Sequence, residues 1–385
     1  MEPETQSSPQ DAPASPIVPS LTSDSDPVAP PEPPISQFSI PPAPSFMQWF
    51  LVGEQGLRAG WSILVFILLL GVIGGVVGIL FSLFHLDALT GPFGVKRVLI
   101  GEAIQCLALL GAIWVAALIE RRRILDFNLT GPRPAFNFFA GLAAGFLVLS
   151  ALVGTMSAGG WLHFGPVALS GMALAKYAAL WGIAFLLVGF FEEGMFRCYL
   201  QFKMTRGINF WWAVGIEAVI CITLALRATG TADWGVYAIA LVGVFPCLLL
   251  HLKRGPQSGF WQAAWVTSTL FGFIHTGNGG ENWIGIFAAG AIGFVFCVSI
   301  WLTGSAWWAI GCHAGWDWGE TYFYGTANSG MVAPGHYLST SPAGNAFWSG
   351  GTNGPEGSVL VLGAILLLLF PLFVFYRRKP DAESV

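Results

Sequence analysis

The segment 190–197, FFEEGMFR, places two adjacent carboxylates after an apolar run. On an α-helix, Glu193 and Arg197 are four residues apart and share a face, so they can form an ion pair. Glu192 then points about 100° away and is left free. A free carboxylate of this kind can act as a general base that takes a proton from water. The alternative is a helix end that carries one surface ion pair.

A second polar cluster, STLFGFIH, covers residues 268–275. Phe271 and His275 are four residues apart and share a helical face, and Asn278 follows shortly after them. Taken alone, a histidine at the end of an apolar helix is more often a hydrogen-bonded structural residue than a catalyst.

The third cluster, LTGSAWWAIGCHAGWDW, covers residues 302–318. His313 and Asp317 share a helical face at a spacing of four residues. The carboxylate could fix the tautomer of the imidazole or act beside it. Taken alone, this pair could also be a satisfied polar contact within a helix bundle.

The composition indicates whether these clusters lie in a water-soluble protein or in a membrane protein. The chain has 385 residues, of which 10% are charged and 55% are hydrophobic, with 17 Trp and 31 Phe. Soluble proteins carry about 25% charged residues, so a water-soluble globular protein is excluded. The basic residues form no cluster of the kind that binds nucleic acid. The six cysteines have no paired spacing, which indicates reduced core residues and not a disulfide framework or a zinc site.

Apolar runs long enough to enter a bilayer recur along the chain. A helix needs about 20 apolar residues to span the hydrocarbon core, and ten segments approach this length. The segments are 61–84, 98–118, 137–157, 174–200, 210–226, 235–252, 259–276, 283–303, 305–319 and 357–376. The sequence therefore predicts an all-α fold, a polytopic membrane helix bundle with about eight to ten transmembrane or re-entrant helices.

The order of the three clusters resembles a known family. EExxxR, then FxxxH, then HxxxN/D is similar to the CPBP family of CAAX proteases and bacteriocin-processing enzymes, also called the ABI family, which includes the type II CAAX prenyl endopeptidases. The resemblance covers about residues 137–320, and the Thr-Gly-Ser at 303–305 leads into the last histidine as in that family. It implies a membrane-embedded peptidase, a helical bundle with an intramembrane polar cavity.

The resemblance also implies roles for single residues. Glu192 would activate the water, His275 would help to hold it, and His313 with Asp317 would bind the oxyanion of the tetrahedral intermediate. The residues that would shape the site are Glu193, Arg197, Phe271 and Asn278. The partners implied are the lipid bilayer and a peptide or protein substrate, membrane-bound or lipidated in part of the family, and no nucleic acid.

Two features depart from the family pattern. Position 317 is Asp where the prenyl endopeptidases have Asn, and an ionised Asp cannot donate a hydrogen bond to an oxyanion. The chain between Arg197 and Phe271 is also longer, which predicts an inserted helical pair near 207–257. Simple alternation of the helices leaves Glu192 and His275 at opposite sides of the membrane, so segment 259–276 must be tilted or re-entrant for them to meet.

The domain organisation expected from these patterns has five parts. They are a disordered Pro-rich acidic tail at 1–46, N-terminal membrane helices at 47–136, a catalytic core at 137–320, an external Gly-rich loop at 321–356, and a last transmembrane helix with a basic cytoplasmic end at 357–385.

Two alternatives remain open from the sequence. No cofactor is expected, but Zn²⁺ held by Glu192, His275 and His313 would make the chain a metalloendopeptidase, although no HExxH motif is present. A non-proteolytic membrane protein, either a proton-coupled transporter or a bacteriocin-immunity-type binding protein, could use the same acids. Internal repeats, which are frequent in transporters, are not found in the sequence.

The basic residues predict the topology. With both termini cytoplasmic, as in a bacterial-type inner membrane, thirteen Lys and Arg fall inside, while only Lys96, Arg97, Lys176 and Arg227 fall outside. Cysteines introduced at Ser36 and Ser384 should therefore react with a membrane-impermeant thiol reagent only after the membrane is opened. Labelling of either end in intact cells would contradict this topology.

Overall fold

The computed structural model describes residues 45–53, 56–83, 93–227, 234–253, 255 and 257–376. The tail expected at 1–46 lies almost wholly outside the described residues, as does the basic C-terminal end beyond Tyr376.

The described chain is built mainly of α-helices. In chain order they are α1 (Phe46–Leu51), α2 (Ala59–Leu83), α3 (Val95–Glu120), α4 (Pro134–Ala158), α5 (Gly171–Glu193), α6 (Gln201–Gly207), α7 (Phe210–Arg227), α8 (Trp234–Leu252), α9 (Ser258–Ile274), α10 (Trp283–Thr303), α11 (Trp307–Trp318), α12 (Ala346–Ser349) and α13 (Leu360–Phe375). The all-α bundle predicted from the apolar runs is confirmed.

Within the described residues, five helical segments are long and apolar enough to cross a membrane, judged by length and composition. They are α2, α3, α4, the continuous stretch Gly171–Gly207, and α10. α2 buries only Ser62 and Phe66 and exposes most of its apolar side chains, which in a bilayer would face lipid. The protein is a multi-pass membrane protein whose outer surface is apolar.

The predicted segment 174–200 is part of a longer helical rod. α5 continues without a break through a π-helical stretch, Gly194–Leu200, into α6. The rod has 37 residues and is about 55 Å long. Apolar residues alone could not reveal this, because the rod carries Glu192, Glu193 and Arg197 in its interior.

The segment predicted to hold an inserted helical pair forms α7 and α8, which pack against each other and against α9. The segment 321–356 was expected to be an external Gly-rich loop, but part of it forms a β-strand. β3 (Leu162–Val167) pairs antiparallel with β4 (Leu338–Pro342), with Leu162 opposite Pro342. A shorter antiparallel pair joins β1 (Val52–Gly53) and β2 (Gly56–Leu57). The β3–β4 pair ties the Gly-rich segment to the connection between α4 and α5.

The closest helix packing joins α4 and α11, and glycines make it possible. A Cβ added at Gly141 would overlap the carbonyl of Trp308, and one at Gly145 would overlap the carbonyl of Cys312. From the other side, a Cβ at Gly311 would overlap the carbonyl of Phe138. Small residues are the usual means by which membrane helices approach to backbone contact. This packing positions α11, the helix that carries His313 and Asp317.

Gly311→Ala should therefore push α11 away from α4 and destabilise the protein by about 1–3 kcal/mol, as overpacking of a tight interface does. The measurement is thermal unfolding of the purified protein in detergent. Gly154→Ala is the matched control, because Gly154 lies in α4, the helix that packs against α11, but has nothing within 4 Å of an added Cβ. Equal melting temperatures for the two variants would contradict the packing argument.

Candidate active site

The three polar clusters of the sequence meet at one cavity inside the bundle. The cavity has a volume of about 90 Å³, which is room for several water molecules. Glu192 from α5, His275 from the end of α9, and His313 and Asp317 from α11 all line it. Phe271 also lines it, whereas Asn278 is not among its lining residues.

Glu193 holds His313 in place. Its side chain is completely buried, and its Oε1 lies 2.8 Å from Nδ1 of His313. Because an ionised carboxylate only accepts hydrogen bonds, Nδ1 carries the proton and donates the hydrogen bond to Glu193 Oε1. α5 and α11 approach closely enough for this bond because residue 189 is Gly, where an added Cβ would lie 3.0 Å from the carbonyl oxygen of Ile310.

Arg197 is the counter-charge of Glu193, as their spacing predicts. Its Nε lies 3.2 Å from Glu193 Oε2, and both side chains are fully buried. The guanidinium also stacks over the ring of Phe271 at 4.3 Å from the centroid, which adds a cation–π contact. Gly293 leaves room for the guanidinium, because an added Cβ there would overlap Arg197 Nη2.

Glu192 is left without a partner of this kind. Its side chain is 25% exposed, and its Oε2 atom is buried and has no hydrogen bond with a described protein group. The same oxygen lies 3.8 Å from Nε2 of His313. Oδ2 of Asp317 lies 3.5 Å from the same nitrogen. His313 therefore faces two further carboxylates across the cavity.

His275 follows α9 directly, in a 3₁₀ turn, His275–Gly277. Its Nδ1 lies 2.7 Å from the carbonyl oxygen of Phe271, and a carbonyl only accepts, so Nδ1 is again the donor. In the neutral ring Nε2 is then an acceptor. Asn278 contacts this turn through its backbone, because its N–H donates to the carbonyl oxygen of His275 at 3.0 Å.

The helix lengths explain how Glu192 and His275 come together. α9 has 17 residues and is about 25 Å long, which is shorter than the hydrocarbon core of about 30 Å. The rod that carries Glu192 is about twice as long. α9 ends within the bundle, and its last turn reaches the middle of the rod.

π-Helical turns follow α5, which carries Glu192 and Glu193, and α11, which carries Asp317. Gly194–Leu200 comes directly after Glu193, and Gly319–Tyr324 comes directly after α11. Such turns are rare and occur frequently at functional sites, because the extra residue in the turn redirects the side chains. Their positions here coincide with the residues that the motifs single out.

Three acids at or near the cavity were not recognised as site residues in the sequence. Glu281 and Glu356 line the cavity, with Glu356 in a 3₁₀ turn, Pro355–Gly357, and Glu320 is buried one turn beyond Asp317. The three-residue spacing of Asp317 and Glu320 could have indicated Glu320. Glu356 had no such signal, because it follows Glu320 by 36 positions in the chain. Burial, with the nearby Glu281 and Asp317, raises the pKa of Glu356 to about 8.

Among the described residues, Asp317, Glu320 and Glu356 are close enough for three side chains to share one metal ion. Glu192, His275 and His313, the ligands of the zinc alternative, line the same cavity but do not form such a group of three. Nitrogen ligands favour Zn²⁺, whereas the acidic group offers oxygen alone.

Comparison with known proteins supports the resemblance seen in the motifs. Residues 244–319 match the family model described as "Type II CAAX prenyl endopeptidase Rce1-like". This segment contains His275, His313 and Asp317 and begins after Glu192. No curated protein and no solved structure matches the chain. The match supports membership of the chain in the CPBP family of CAAX proteases.

Proposed function

We propose that this protein is an intramembrane endopeptidase that hydrolyses a peptide bond with a water molecule activated by Glu192. The observation that carries the proposal is the division of labour between two adjacent carboxylates. Glu193 is fully buried between Arg197 and His313, while Glu192 has an unpartnered oxygen at the cavity. A general base must be free to accept a proton at the place where water can enter.

The reaction can be written with these residues alone. Glu192 takes a proton from water, the resulting hydroxide attacks the carbonyl carbon, and the carbonyl oxygen becomes an oxyanion. Nε2 of His313, in its protonated form, donates to that oxygen. Glu192 then passes its proton to the leaving amine as the carbon–nitrogen bond breaks. His275, an acceptor at Nε2, holds the attacking water.

The structure suggests a specific role for Asp317. Since Glu193 already bonds Nδ1 of His313, a second carboxylate is not required to fix the imidazole tautomer. Asp317 lies beside Nε2 at 3.5 Å, where it can orient that nitrogen's proton or, when itself protonated, donate to the oxyanion.

The location of the site supports a membrane-associated substrate. A cavity among membrane helices favours a peptide segment that is itself membrane-bound, and the family that matches residues 244–319 is described as a prenyl endopeptidase. We propose a membrane-associated peptide or protein substrate, lipidated or not, cleaved in a bacterial-type inner membrane with both termini of the enzyme in the cytoplasm.

Glu192→Gln should abolish turnover and leave the melting temperature unchanged, because the amide keeps the size and polarity but cannot accept the proton. The measurement compares new peptide N-termini in membranes from cells that produce either wild type or the variant. Glu217→Gln is the control, since Glu217 is a buried acid that accepts from Thr269 outside the cavity. Equal cleavage by Glu192→Gln and wild type would refute the assignment of the base.

His313→Ala should reduce the rate about 10²-fold or more, as loss of an oxyanion donor does. Asp317→Asn should retain activity within about tenfold, because the amide can donate to the oxyanion and Glu193 still orients His313. Both rates are measured on a peptide identified in the proteomic comparison. Loss of all activity in Asp317→Asn, with the protein folded, would assign an obligatory carboxylate to this position.

The proposed chemistry needs no catalytic zinc. Purified active enzyme should keep its activity after treatment with a zinc-selective chelator, with metal content measured by mass spectrometry. A zinc-dependent enzyme would instead contain one Zn²⁺ per chain, and the chelated wild type would regain activity when zinc is restored. The variants His275→Ala and His313→Ala would each lack the bound Zn²⁺. That result would make Glu192, His275 and His313 metal ligands.

A further inference from the structure

Three carboxylates from separate parts of the chain meet beside the candidate active site. Asp317 lies near the end of α11, Glu320 in the π-helical turn that follows, and Glu356 in the 3₁₀ turn before α13. One oxygen atom of each lies within 4.8 Å of the others. Two of them are connected by one helical turn, but Glu356 is brought there by the Gly-rich segment.

Glu320 lacks a counter-charge in this cluster. It is fully buried, and neither of its carboxylate oxygens has a hydrogen bond of good geometry with a described group, although the indole N–H of Trp316 lies nearby. Within the described part of the chain, neither Glu320 nor Glu356 forms an ion pair with Lys, Arg or His. Glu356 accepts from Trp316 Nε1 at 3.2 Å and from the backbone N–H of Ser329 at 3.3 Å. Buried carboxylates are normally paired or bound to a cation.

The geometry and the ligand types fit a hard divalent cation. Mg²⁺, Mn²⁺ and Ca²⁺ bind oxygen at about 2.0–2.6 Å, so ligands on opposite sides of one ion lie about 4–5 Å apart. The spread of the three oxygens is within this range. The cluster contains neither His nor Cys, which are the ligands that structural zinc sites use.

We propose that Asp317, Glu320 and Glu356 bind one divalent cation of the Mg²⁺, Mn²⁺ or Ca²⁺ type. The ion would join α11 to the turn before α13 and so fasten the Gly-rich segment to the helix that carries His313. It would also balance the negative charge of Asp317, so that this carboxylate stays ionised and orients the proton on His313 Nε2, which lies 3.5 Å from its Oδ2. Cation binding does not depend on peptide hydrolysis, so the two proposals can fail separately.

The test is a Mn²⁺ titration of the full-length protein in lipid nanodiscs after treatment with a chelator, with free Mn²⁺ followed by electron paramagnetic resonance. Wild type should bind one Mn²⁺ per chain, and Ca²⁺ or Mg²⁺ should displace it. Glu320→Gln and Glu356→Gln should each weaken binding at least tenfold, because each removes an anionic ligand. Glu217→Gln, which alters a buried acid elsewhere in the bundle, should bind as wild type does.

Thermal unfolding supplies a second readout. Saturating Mn²⁺ should raise the melting temperature of wild type by several degrees and that of Glu320→Gln by much less. If the three carboxyl groups instead share protons, wild type would bind no stoichiometric cation, and the proposal would be wrong. Equal affinities of wild type, Glu320→Gln and Glu356→Gln would also overturn it. If either variant fails to fold, the wild-type titration still decides whether the three carboxylates bind a cation. Glu320→Asp, which keeps the charge, then replaces the glutamine variant in the comparison.

Discussion

The ion pair between Glu193 and Arg197 is the interaction on which the site depends. Both side chains are fully buried, and removing either partner would leave an uncompensated charge inside the bundle. Such a pair is a poor source of stability, because desolvation offsets the attraction. Its value here is positional. Glu193 cannot turn away from Arg197, so its other oxygen stays at 2.8 Å from His313 and keeps that ring oriented toward the cavity.

The helix packing around this pair is adapted to it. Glycine at 189 lets α5 approach α11, and glycine at 293 leaves room on α10 for the guanidinium of Arg197. Glycines at the crossing of α4 and α11 bring those backbones into contact from the other side. α11 is therefore held between two helices, and a polar cluster that would be costly in an apolar bundle becomes rigid. Rigid positioning is what an active site needs from its surroundings.

The cavity also has an acidic side that the peptidase motifs do not explain. Glu320 and Glu356 extend the row of carboxylates that begins at Glu192 and Asp317. Their concentration near two histidines makes the local charge sensitive to any proton or cation that enters. The Gly-rich segment is therefore more than a connection, since it contributes Glu356 to the cavity wall and pairs through β4 with the strand before α5.

Much of this protein is determined by its sequence alone. Long apolar runs can only be satisfied as helices in a bilayer, and spacings of four residues placed Glu193 with Arg197 on one face and His313 with Asp317 on another. Local periodicity carries no information on contacts between distant segments. Only the tertiary structure decided that Glu193, and not Asp317, bonds Nδ1 of His313, that α9 stops short enough to bring His275 to Glu192, and that Glu356 joins Asp317. Each of these depends on where one helix ends against another, which is set by glycine contacts and buried charge between elements far apart in the chain.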